Sequence, residues 1–175
     1  MKILVLLLML FLSPWAVADD SCPLEELKLS PQSPLAERLF YVGTCHYRNK
    51  EYRQSVELWK ELTELDGIEP AQVELQIDAL NNLGYMLFFG YGVDEDKHEA
   101  LSYWNKAIGL GHTEAEYHLC HAYADVGVST YDAVRAISHC QKAELLYRGM
   151  RKKHSHERAM LRDIKKYLKQ LKKNA

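Results

Sequence analysis

The sequence predicts an all-α protein, in which about three stacked helix-turn-helix units are followed by an amphipathic helix. Two observations lead to this prediction. Shifting the sequence against itself by 36 residues aligns Leu83 with Leu119 and Ala100 with Ala136. Within each unit the apolar residues recur every three or four positions, which is typical of amphipathic helices. Three such units meet the minimum for a stable stacked array.

The second unit shows the pattern most clearly. Its first helix is predicted at about 78–89 and its second at about 97–108, with a glycine-containing turn at 90–92. Gly84 and Ala100 are small residues on the two helices. Because antiparallel helices approach closely only where side chains are small, we interpret these residues as packing positions.

The first unit follows the same design with a shorter turn. Val42 and Gly43 lie on its first predicted helix, and Val56, Trp59 and Leu62 lie on its second. The string 49–56 is interpreted as a turn that leads into the second helix.

The N-terminus is typical of a secretory signal peptide. Lys2 is followed by the apolar run 3–12, and the small-residue pattern at 16–18 predicts cleavage after Ala18. A ten-residue helix spans about half of a bilayer's hydrocarbon core, so a membrane-spanning helix is the weaker interpretation. We therefore expect a protein that is periplasmic or secreted.

The composition describes an ordinary folded domain. The chain has 175 residues, 47% of them hydrophobic, with 22 Lys and Arg against 24 Asp and Glu. A net charge of -2 gives no reason to expect nucleic-acid binding by the whole molecule. Beyond the first 18 residues, no apolar stretch is long enough to cross a membrane.

The motifs of the second unit are Leu83-Gly84-Tyr85, Gly90-Tyr91-Gly92-Val93, Asp96, Ala100, Trp104, Lys106-Ala107 and Gly111. This pattern resembles the Sel1-like repeat, and residues 36–67 resemble the related tetratricopeptide repeat. The resemblance implies a right-handed solenoid of three repeats over 36–147. An N-terminal segment at 19–35 would precede it, and a basic C-terminal helix at 148–175 would follow.

The four cysteines, Cys22, Cys45, Cys120 and Cys140, all follow the predicted cleavage site. An even number in an exported protein predicts two disulfides, with four free thiols as the alternative. Sequence alone does not choose among the three possible pairings, but the helical layout favours Cys120–Cys140 and Cys22–Cys45. In the third unit Cys120 replaces the glycine that is usual in the family, and Cys140 replaces the usual aromatic residue. The resemblance implies that Cys120 and Cys140 face each other across the hairpin.

The resemblance also assigns a concave face, which the first helix of each repeat lines. Its predicted partner-binding residues are Phe40, Tyr47, Arg48, Asn81, Tyr85, Phe88, Phe89, Tyr117, His121 and Asp125. Exposed aromatics with an arginine and an asparagine are typical of a protein-binding surface. The alternative is that some of them, Phe88 above all, pack inward between repeats.

The C-terminal region is strongly basic. Residues 148–175 contain eleven Lys and Arg against two acidic residues, whereas residues 19–147 contain ten basic and 22 acidic residues. Leu161, Ile164, Leu168 and Leu171 recur at helical spacing. The helix is interpreted either as a cap on the last repeat, with solvated lysines, or as a basic face for an acidic partner or an anionic surface.

Catalytic chemistry has little support in the sequence. His118 and His121 lie one helical turn apart, with His139 on the facing helix, but a further ligand at fixed spacing is missing, so we predict no metal site. The sequence contains no nucleophile motif, phosphate loop or dinucleotide fingerprint, so we predict no cofactor and no catalytic residue.

These observations predict a non-enzymatic interaction module of the bacterial periplasm that binds a protein or peptide on its concave face. The resemblance implies an adaptor or assembly factor of an envelope complex. The alternatives are an immunity protein that occludes a secreted toxin and, with weaker support, a cell-wall-active hydrolase.

Overall fold

The computed structural model describes residues 21–150 and 153–174, so the predicted signal peptide at 1–18 lies outside the described residues. This part of the chain forms seven α-helices and no strand, with a 3-10 turn at Pro70–Gln72. The helices are α1 (Leu35–Arg48), α2 (Tyr52–Glu64), α3 (Val73–Phe89), α4 (Lys97–Gly109), α5 (Thr113–Ala124), α6 (Ala133–Gly149) and α7 (Ser155–Asn174). The predicted all-α fold class is confirmed.

Consecutive helices pack as three hairpins, α1–α2, α3–α4 and α5–α6, which stack through α2 against α3 and α4 against α5. Local sequence fixes where several helices begin and end. Asp96 caps α4 by accepting a hydrogen bond from the backbone N–H of Glu99 at 2.8 Å. Asp132 caps α6 in the same way. Gly90 ends α3 in the left-handed conformation, with φ of 68°.

A glycine and a tryptophan meet at the centre of each of the first two hairpins. A Cβ atom on Gly43 would lie 2.8 Å from Trp59 Nε1, and one on Gly84 would lie 2.5 Å from Trp104 Nε1. Each indole N–H also donates to a backbone carbonyl of the facing helix, at 3.4 Å and 3.1 Å respectively. The two hairpins therefore share one packing device, although their sequences differ.

Disulfides hold the third hairpin and the N-terminal segment. Cys120 on α5 is bonded to Cys140 on α6, with Cα atoms 4.6 Å apart, at the positions that Gly84 and Trp104 occupy one repeat earlier. Cys22 is bonded to Cys45 on α1, with Cα atoms 5.9 Å apart. These are the pairings that the helical layout favours.

The first two hairpins stack at another glycine. Gly92, in the turn between α3 and α4, has φ of 71°, and a Cβ there would collide with the backbone of Tyr52 at the start of α2. Only glycine fits here for two reasons. Other residues rarely adopt this positive φ, and their Cβ would collide with the Tyr52 backbone. The Gly-x-Gly turn of the sequence thus has a packing role between repeats.

The last helix covers the last hairpin. The buried residues of α7 are Met160, Ile164, Leu168 and Leu171, and the helix packs against α6 and α5. The lysines and arginines of α7 remain exposed. The apolar face of α7 therefore caps the last repeat, as the first interpretation of this helix predicts.

Candidate functional site

A cavity of about 610 Å³ lies on the side of the array that α1, α3 and α5 line, and α7 forms its far wall. We call it the groove. Its lining residues are Thr44, Tyr47, Arg48, Trp59, Asn81, Asn82, Tyr85, Met86, Glu114, Tyr117, His118, His156, Ala159, Met160 and Asp163. Pockets of about 300–1,000 Å³ are typical of ligand sites in proteins.

Two asparagines on α3 form the floor of the groove. Asn81 is 5% exposed, and its side-chain Oδ1 has no hydrogen-bond partner among the residues that the structure describes. Its backbone carbonyl is occupied by the indole of Trp104 at 3.1 Å. Buried polar atoms in folded proteins are normally paired, so the amide of Asn81 has hydrogen-bonding capacity that the fold does not use. Asn82, which is half-buried, lies beside it.

Aromatic rings continue the groove toward the hairpin turns. Tyr85 lies 4.8 Å from Phe89 and 5.9 Å from Tyr91, measured between ring centroids, and Tyr91 stacks on Tyr52 at 5.2 Å. Burial raises the pKa of Tyr85 above its ordinary value, so its hydroxyl remains a hydrogen-bond donor at physiological pH. Burial also raises the pKa of Tyr47, which lies on α1. Of these residues, Tyr47 and Tyr85 line the groove, where they offer flat apolar rings and protonated hydroxyls.

The opposite wall carries charge. Glu114 Oε1 lies 3.5 Å from His118 Nε2 and 3.6 Å from His156 Nε2. Burial opposes ionisation of Glu114, but the hydrogen bond from His118 and the nearby histidines outweigh it, so the pKa of this carboxyl is lowered. Burial also raises the pKa of Tyr117 to about 12, and Asp163 of α7 adds to that effect. The groove thus has carboxylates on its α5 and α7 side and Arg48 on its α1 side.

The structure brings together half of the predicted concave residues. Tyr47, Arg48, Asn81, Tyr85 and Tyr117 all line the groove. Although Asn81 lines the groove, it is buried rather than outward-facing, and the outward orientation predicted for it is wrong.

The other five predicted residues lie elsewhere. Phe88 is only 2% exposed and packs against Trp104, with ring centroids 5.3 Å apart, so its predicted outward orientation is wrong. Phe89 is 40% exposed and does not line the groove, but its ring contacts that of Tyr85. Phe40 packs against the first hairpin's core. Asp125 accepts a hydrogen bond from the backbone N–H of Gly127.

His121 faces the C-terminal helix. Its ring lies 5.8 Å from that of Tyr167 on α7, and burial lowers the pKa of the imidazole. The concave face of the third repeat is therefore partly covered by the chain itself. Sequence reasoning missed the α7 residues that line the groove, and the only available signal was the amphipathic pattern of that helix.

Potential metal ligands are engaged in other contacts. His118 stacks on Trp104 with ring centroids 5.0 Å apart, and His139 Nδ1 pairs with Glu116 Oε2 at 2.6 Å. One cluster in the described part of the chain combines His46 and Glu51 with Cys22, but the sulfur of Cys22 is in a disulfide and a thiolate is needed to bind a metal ion well.

A family model described as the Sel1 repeat matches residues 77–112 and again residues 113–146. The chain carries two Sel1 repeats. The first Sel1 repeat contains most of α3 and all of α4, and the second contains α5 and most of α6. Sel1 repeats are generally protein–protein interaction modules and are typically not enzymes. No curated protein matches the chain.

Two further findings concern the surroundings of the Sel1 repeats. The two disulfides point to an oxidising environment outside the cytoplasm. None of the helices in the described ranges has the length and apolar character needed to cross a membrane.

Proposed function

We propose that the chain binds an extended segment of a partner protein in the groove, as an adaptor or assembly factor of an envelope complex in the bacterial periplasm. The observation that carries the proposal is a cavity of about 610 Å³ that three repeats and α7 bound, lined by the partly exposed side chains of Tyr47, Asn82 and Tyr85. The interaction role of Sel1 repeats supports it.

The chemistry of the groove suits a peptide main chain. An extended segment presents backbone N–H donors and carbonyl acceptors that must be paired when water is excluded. The amide of Asn82 supplies both a donor and an acceptor, and the hydroxyls of Tyr47 and Tyr85 supply further donors. The tyrosine rings give an apolar surface for the side chains of the segment.

Charge gives the bound segment a preferred direction. Arg48 lies on the α1 side of the groove, whereas Glu114 and Asp163 lie on the α5 and α7 side. Arg48 forms no salt bridge with another described residue, so it is available to an acidic group. We expect a segment with an acidic group near α1 and a basic group near α7.

The proposed location rests on two independent observations. The sequence predicts a cleaved signal peptide at 1–18, and the two disulfides point to an oxidising compartment. The predicted alternative of an immunity protein uses the same groove, and the identity of the captured partner distinguishes it from an assembly factor.

The test is capture of partner proteins by the wild-type chain and by a variant carrying Asn82→Ala and Tyr85→Ala. Tyr41→Ala is the matched control, because Tyr41 is 43% exposed on α1 and does not line the groove. We expect the groove variant to retain about a tenth or less of the captured partner, since losing contacts in a desolvated centre costs more than about 1.4 kcal/mol. Equal capture by all three proteins would contradict the proposal.

A further inference from the structure

The exposed face of α7 is a stripe of cations. Its members recur every three or four residues along the helix, which places them on one side. They are Arg158, Arg162, Lys165, Lys166, Lys169 and Lys172, and we call this set the basic face. None of them forms a salt bridge with any carboxylate that the structure describes. The groove lies on another side of α7, at Ala159 and Asp163.

An acidic surface lies in the first half of the array. Residues 61–96 contain nine Asp and Glu and no Lys, Arg or His. Five of these acidic residues lie at the end of α2, in the connection to α3 and at the start of α3, and all five are exposed and without a salt bridge in the described structure. They are Glu61, Glu64, Asp66, Glu69 and Glu74, which we call the acidic connection.

The two surfaces do not meet within one molecule. α7 packs against α5 and α6 at the end of the array, whereas the acidic connection joins the first hairpin to the second. No salt bridge joins the two sets in the described residues. Each molecule therefore presents two complementary charged surfaces that its own fold leaves unpaired.

We propose that the basic face of one copy docks on the acidic connection of a second copy. The contact is head-to-tail, because different surfaces of the two molecules meet, and each copy can contact two neighbours. The small net charge of -2 does little to oppose such association. An anionic membrane would attract the basic face but repel the exposed carboxylates of the array, whereas a second copy satisfies both surfaces.

Charge reversal with complementation tests the proposal on the purified protein. One variant carries Lys165→Glu, Lys169→Glu and Lys172→Glu, and the other carries Glu61→Lys, Glu64→Lys and Glu69→Lys. A control, Glu25→Lys with Glu26→Lys, reverses exposed charges in the N-terminal segment, outside both surfaces. Circular dichroism and thermal melting confirm that each variant is folded. Sedimentation velocity then measures association at about 20 mM and about 500 mM salt, which bracket weak and strong screening.

We expect the wild type and the control to associate at low salt. At high salt their dissociation constants should be at least about tenfold larger, because salt screens the charges. Each reversed variant should remain monomeric alone. An equimolar mixture of the two should associate, because the basic face of the second variant can dock on the unchanged acidic connection of the first, and the two reversed surfaces also complement each other. Three results would each overturn the proposal. These are a wild type that stays monomeric at low salt, a mixture that does not associate, and binding to vesicles of anionic lipid without self-association.

Discussion

Replacing Cys120 and Cys140 with alanine removes the bond that joins α5 to α6. The disulfide closes a loop with a sequence separation of 20. In the chain-entropy account, a loop of that size stabilises the folded state by about 3 kcal/mol, because the bond limits the conformations of the unfolded chain. Alanine keeps both buried positions apolar, so the lost bond dominates the change. For a chain of this length, about 3 kcal/mol corresponds to a fall of roughly 6–12 °C in melting temperature.

The assay is urea unfolding followed by circular dichroism, with and without a thiol reductant. The unfolding free energy of the double variant should be about 3 kcal/mol lower than that of the oxidised wild type. A reductant should not lower it further through this hairpin, because the variant has no disulfide there. Replacing Cys22 and Cys45 is the comparison. That bond holds the segment before α1, so its removal should free the N-terminal segment with a smaller effect on the global transition. If oxidised wild type and the Cys120→Ala/Cys140→Ala variant unfold at the same urea concentration, the reasoning is wrong.

Two further predictions concern packing and pH. Gly84→Ala should destabilise the protein by about 1–3 kcal/mol in the same assay, because the added Cβ would lie 2.5 Å from the Trp104 indole. Gly109→Ala is the control. Its Cβ would meet nothing within 4 Å, so its stability should change by less than about 1 kcal/mol. Burial lowers the pKa of His121, so the unfolded state takes up its proton first and stability should fall as pH drops through 6.5. Unfolding measured across this pH range should show a weaker fall in His121→Gln, and an identical fall would contradict the assignment.

The repeat architecture could be predicted because the packing contacts within a hairpin depend on residue types that recur at fixed spacing. The predicted span 97–108 for the fourth helix differs from α4 (Lys97–Gly109) by one residue. The third helix begins at Val73, five residues before its predicted start, because the 3-10 turn at Pro70–Gln72 leads directly into it. The pairing of Gly43 with Trp59 was not predicted, since the shorter turn of the first hairpin changes the spacing between the two residues.

The groove was predicted only in part, for a geometric reason. α3 packs against α2, α4 and α5, so its buried stripe is wide and includes Asn81 and Phe88. The side of α3 that remains open carries Asn82, Tyr85 and Phe89, at offsets of three and four residues. At two places the family pattern therefore gives a buried residue whose next neighbour along the chain is the open one: Asn81 precedes Asn82, and Phe88 precedes Phe89.

The C-terminal helix shows what local sequence cannot supply. The apolar spacing of α7 predicts an amphipathic helix, but the surface that it covers depends on contacts with α5 and α6, far away along the chain. Its packing adds Met160 and Asp163 to the groove and places Tyr167 against His121.

Site-specific crosslinking tests the proposed role of the groove most directly. A photoreactive residue placed at Asn82 probes the groove, and one placed at Ser102, which is exposed on α4 and outside the groove, is the matched control. We predict that irradiation joins a partner protein to position 82 and not to position 102, and that Tyr85→Ala abolishes the product. A partner crosslinked equally at both positions, or only at 102, would contradict binding in the groove.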